Sequence, residues 1–101
     1  MKIFKTIDEK FAEIGFTKVK EDKHGISYTR YNKNYNFTQH LDILYKEYGA
    51  NIIQSYDSNL NDTKGRGNTC VGLTIYEAKL CIKKMKHWMK KYNRKESKEI
   101  Y

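Results

Sequence analysis

Apolar residues recur at three- and four-residue steps near both ends of the chain and alternate with polar ones through its middle, so two helices flanking a set of strands are predicted. Ile3, Ile7, Phe11 and Ile14 form the first stripe. Thr6-Ile7-Asp8-Glu9 has the spacing of a capping box, in which a hydroxyl and a carboxylate satisfy the first free amides of a helix. A short helix to about Ile14 follows, closed by Gly15 in the left-handed region, with Phe16 folding back as an apolar plug.

From Phe16 the period shifts towards two. Phe16 to Lys20, a turn over Glu21-Asp22-Lys23-His24-Gly25, and Ile26 to Tyr31 read as a hairpin rich in β-branched and aromatic residues. After Asn32-Lys33-Asn34, the residues Phe37, Gln39, Leu41, Ile43 and Tyr45 alternate with Thr38, His40, Asp42, Leu44 and Lys46. Gly49 then turns the chain into a fourth strand over 51–56. Residues 57–69 hold Leu60 as almost their only apolar side chain and include Gly65-Arg66-Gly67, which predicts a long exposed loop.

Thr74-Ile75-Tyr76-Glu77 repeats the capping-box spacing and opens a helix of roughly 18 residues to about Tyr92. Ala78, Cys81, Ile82, Met85, Trp88, Met89 and Tyr92 are its expected core stripe. The expected fold class is α+β: a short N-terminal helix, an antiparallel four-stranded meander, a long loop, and a long amphipathic basic helix packed on the sheet. One domain over 1–92 and a fraying charged tail over 93–101 complete the expectation.

At 101 residues the chain has room for one core. Lys and Arg number 20 against 12 acids, a net charge of +8, which favours polyanionic partners: nucleic acid, a ribonucleoprotein or an acidic protein face of a host. Residues 75–101 carry nine of the cations and three Glu, so this segment alone supplies +6. No apolar run reaches the length of a membrane span, and the first residues are charged where a signal peptide would be apolar. The expected location is therefore the cytoplasm, with no membrane partner. Cys70 and Cys81 have neither metal-ligand nor disulfide-framework spacing and read as reduced thiols.

Three groups of residues are candidates for contact. Lys79, Lys83, Lys86 and Lys90 form a second stripe on the last helix, with Lys84 and Lys91 beside it; the stripe reads either as a solvated face or as a track that neutralises phosphates without reading bases. Tyr28, Tyr31 and Tyr35 lie in the strand region with Arg30 among them, and exposed aromatics stack on bases, although tyrosine is also an ordinary strand residue. Lys64 and Arg66 flank a glycine that permits close approach to a phosphate, in a segment that reads equally as a plain connection. Catalytic groups are sparse. His40 and Asp42 share a strand face, His24 sits in a turn and His87 on the basic helix, and no nucleophile motif accompanies them. No metal, cofactor or small-molecule substrate is expected, and a non-enzymatic binder is.

The element order, with His24-Gly25 in the first hairpin turn and Lys83-Lys84-Met85-Lys86 on the last helix, resembles the double-stranded RNA-binding domain over residues 3–92. That family has three strands, its lysines sit at the start of the helix, and it lacks the 57–69 loop. The richness in Lys, Asn, Ile and Tyr, the absence of Pro and the scarcity of Ala point to an AT-rich genome. In size and composition the chain resembles the small proteins of phages and prophages in low-GC bacteria. That likeness implies an inhibitor of a host nucleic-acid-guided defence complex, of anti-CRISPR type, with a stand-alone DNA- or RNA-binding accessory protein, or a structural or housekeeping module with no anionic partner, as alternatives.

Overall fold

A computed structural model describes residues 4–46, 51–58, 70–96 and 98. The order is α1 (Ile7–Glu13), β1 (Thr17–Asp22), β2 (Gly25–Asn32), β3 (Phe37–Tyr45), β4 (Asn51–Ser58) and α2 (Ile75–Lys91). The four strands form one antiparallel sheet in the order β1-β2-β3-β4, so the fold is the α+β arrangement that the alternation and the two helical stripes predict.

Both helices start as the capping boxes require. The Thr6 hydroxyl accepts from the Glu9 amide, and at α2 the exchange is reciprocal: Thr74 accepts from the Glu77 amide while the Glu77 carboxylate accepts from the Thr74 amide. Gly15, at φ +93°, ends α1, and the Phe16 amide donates back to Phe11. The first hairpin is tighter than expected. Strand pairing runs through Asp22 and Gly25, leaving only Lys23 and His24 in the turn. Gly25 has φ +137°, and a Cβ there would stand 2.1 Å from the Ile43 carbonyl oxygen, so no other residue fits. The register shift between Lys18 and Lys20 turns Val19 outward on the edge strand.

The register places Ile26 beside Ile43 and Tyr28 beside Leu41, all on the helix-covered face. With Phe11, Phe16, Leu80, Cys81, Met85 and Trp88 they form the core. Phe11 stacks on Tyr28 at 4.3 Å, and Trp88, fully enclosed, donates its indole N–H to the Asp22 carbonyl at 2.7 Å. Truncating such a tryptophan to alanine costs on the order of 3–5 kcal/mol.

The buried arc of α2 differs from the expected stripe. Glu77, Leu80, Cys81, Met85 and Trp88 face inward, while Ile82 is exposed. The change amounts to a rotation of roughly 60° about the helix axis. Its cause is electrostatic as well as apolar: Asp8 on α1 and Glu21 on β1 draw Lys84 inward, and Arg30 on β2 draws Glu77. The proposed loop over 57–69 begins later than expected, because β4 continues to Ser58; residues 59–69 lie outside the described residues. The chain returns beside β4, where the Val71 amide donates to the Ser55 carbonyl. Among the described residues no helix is long and apolar enough to cross a membrane.

Candidate polyanion-binding surface

Helix α2 divides its cations into two populations. Lys79, Lys83, Lys86 and Lys90 are exposed and lie opposite the buried arc, within about 60° of one another around the axis. They form a row about 16 Å long at a rise of about 1.5 Å per residue. Among the described residues none of the four makes an ion pair. The only acid on the helix, Glu77, is buried beneath it, so no side chain of the helix itself neutralises the row.

Lys84 belongs to the other population. Its ammonium lies 2.9 Å from Glu21 and 3.2 Å from Asp8, and its side chain is only 12% exposed. Lys18 pairs with the same two acids, at 2.9 Å to Asp8 and 3.3 Å to Glu21, and the Tyr28 hydroxyl donates to Asp8 at 2.6 Å. Burial raises the Asp8 carboxyl, but hydrogen bonds from Tyr28, Lys18 and Lys84 outweigh it and hold Asp8 below its usual value. Glu21 is likewise held low by Lys84 and Lys18 against the effect of burial. The cluster is a clasp joining α1, β1 and α2. Lys84 is therefore removed from the contact set; Lys91 stays exposed while reaching Glu21 at 3.5 Å.

Arg30 also points away from any contact surface. Its guanidinium donates to the Ile14 carbonyl at 3.0 Å and to Gln39 at 2.8 Å, pairs with Glu77 at 2.9 Å, and lies over the Phe16 ring. Gln39 passes the network on to the Ser55 hydroxyl. Every buried polar side-chain atom described is satisfied, so this is a fully bonded layer beneath α2. Tyr28 is likewise corrected: at 1% exposure it is core and has no face free for stacking. Tyr31 and Tyr35, 61% and 78% exposed, are surface residues on β2 and in the turn after it. Lys64 and Arg66 lie outside the described residues.

The sheet face opposite the helices carries His40 and Asp42, which share it as the alternation predicts. Asp42 accepts from Gln54 and from the Tyr56 hydroxyl, and His40 stacks on Tyr56 at 5.0 Å. The carboxylate thus organises a sheet-face network. Cys81 is enclosed, and burial pushes its thiol up to about 12, which removes it as a nucleophile. Among the described residues no three His, Cys, Asp or Glu side chains gather as metal ligands.

Sequence reasoning passed over the end of α2. Asn93 adopts φ +54°, its amide donates to Lys90, and the Arg94 amide donates to Met89 at 2.8 Å. This pair of bonds is the Schellman closure, with Asn in place of the usual Gly. The order extends past Tyr92 and fixes Arg94, whose guanidinium lies over the Tyr45 ring at 4.6 Å. The available signal was Asn, the non-glycine residue that best tolerates the left-handed region, immediately after a run of helical spacing. No family model, curated protein or solved structure matches the chain.

Proposed function

We propose that the protein is a non-enzymatic binder of nucleic acid, engaging the phosphate backbone through the Lys79–Lys83–Lys86–Lys90 row. The observation that carries this reading is the sorting of lysines on one helix: those beside acids are spent on the fold, and the four opposite the core have no counter-charge among the described residues. A row of point charges contacts phosphates and carries no base readout, so binding is sequence-tolerant. The finer reading, inhibition of a host nucleic-acid-guided defence complex, draws on the chain's size and AT-rich composition and places the nucleic acid within a ribonucleoprotein.

The test is a salt titration of binding to fluorescent single- and double-stranded DNA and RNA, comparing the native protein with the Lys79→Glu, Lys83→Glu, Lys86→Glu, Lys90→Glu variant. Engagement of about four phosphates gives a log–log slope near −3 to −4, which the variant abolishes. Equal binding by both proteins sinks the row as the contact surface. Binding to a guide-loaded defence complex with none to bare nucleic acid selects the inhibitor reading.

A further inference from the structure

Beyond the row, at the C-terminal end of α2, a cavity of about 530 Å3 opens between that helix end and the β1–β2 turn, lined by Lys23, His24, Tyr45 and Arg94. We infer that this cavity is a phosphate site whose ligand is the terminal phosphate of a nucleic-acid strand. The inference rests on the proposed function for the source of the phosphate, and on the cavity's own chemistry for its class.

Two independent pieces of backbone geometry build the site. The Schellman closure at Asn93 directs Arg94 across the helix end, and the two-residue turn at Lys23-His24 is pinned by the Tyr45 amide donating to the His24 carbonyl. Tyr45 lies between the two. One contact is the Arg94 guanidinium and another is the Trp88 ring at 5.5 Å, itself 5.2 Å from Tyr92. The guanidinium is held over the ring, and Arg94 makes no ion pair among the described residues, which leaves it for the planar, forked recognition of phosphate oxygens that suits its shape.

Among the described residues no carboxylate lines the cavity. The acid of the turn, Asp22, is already engaged: its side chain accepts the His24 amide at 2.8 Å and pairs with Lys20 at 3.3 Å. Neither Lys23 nor Arg94 makes an ion pair among the described residues. Donors thus converge from two elements on one concave space. A backbone phosphodiester has one charge and suits the open row; a terminal monoester has up to two charges and three free oxygens, which match a converging donor set.

Short oligonucleotides with a 5′-phosphate or a 5′-hydroxyl, tested on native protein and on Arg94→Ala and Lys23→Ala, separate the possibilities. Inorganic phosphate at matched ionic strength, followed by the backbone amide signals of Lys23, His24 and Arg94, serves as the free-ligand arm. The expected result is about tenfold tighter binding of the phosphorylated strand by the native protein, lost in Arg94→Ala with the hydroxyl strand unaffected. The row variant should weaken both strands and preserve their ratio. A ratio of one together with unmoved amides overturns the site. Amide shifts with a ratio of one overturn the strand-end ligand and assign the cavity to free phosphate. An intact phosphate response in a protein indifferent to row reversal overturns the proposed function and leaves this site standing.

Discussion

The Lys84 ammonium lies 2.9 Å from the Glu21 carboxylate, with the two side chains 12% and 15% exposed, and so joins α2 to an edge strand 63 residues earlier in the chain. A lysine in this position serves the fold, whereas Lys83, the residue before it, is exposed and without an ion-pair partner among the described residues. Lys84→Met should lower unfolding free energy by about 1–3 kcal/mol, less than a fully buried pair because Lys18 and Lys91 still face Glu21. Lys83→Met should change stability by no more than about 0.5 kcal/mol. Urea unfolding and nucleic-acid binding, measured on both variants, check the contrast: Lys84→Met should affect the first and Lys83→Met the second.

The same clasp predicts acid sensitivity. Asp8 and Glu21 have folded-state pKa values below their unfolded ones, so the unfolded chain binds more protons as the pH falls. Their stabilisation is present above about pH 4 to 4.5 and is lost as the pH drops through the folded values. The melting temperature should therefore fall below about pH 4.5 in native protein. In Lys84→Met, which removes a partner of both carboxylates, that acid limb should be shallower. Parallel acid limbs in the two proteins would exclude Lys84 from holding the two carboxyls low.

Local patterns made the elements legible. Thr6 and Thr74 announce the helix starts because capping is a contact between residues three apart, and the alternation over 37–45 fixes which side chains of β3 share a face. The rotation of α2 was not legible. Leu80 and Lys84 face inward because of what α1 and β1 present to them, and Asp8 lies 76 residues from Lys84 in the chain. Arg30 and Tyr28 appeared as surface residues for the same reason: a strand pattern separates two faces without saying which one the helices cover. The row of four lysines survives because it lies beside the expected buried arc and opposite the observed one, so the rotation of the helix leaves it exposed. Arg94 was missed because its position depends on a left-handed residue other than glycine.

Glu77 combines two roles that a single carboxylate can be made to separate. Oε1 accepts the Thr74 amide at 2.9 Å and closes the capping box, while Oε2 lies 2.9 Å from the Arg30 guanidinium. Glu77→Gln keeps an acceptor for the cap and removes the charge, so it should cost about 1–3 kcal/mol. Glu77→Ala also loses the cap contact, worth about 1 kcal/mol more. Arg30→Met removes the other half of the pair and strands Gln39 and the Ile14 carbonyl without their donor. The double variant Arg30→Met, Glu77→Gln should then be less destabilised than the sum of the singles, by at least about 1 kcal/mol, since neither charge is left buried alone. Urea unfolding of the four proteins completes the cycle. Strict additivity would mean that Arg30 is held by Gln39 and the Ile14 carbonyl, and that Glu77 acts on α2 only through its cap.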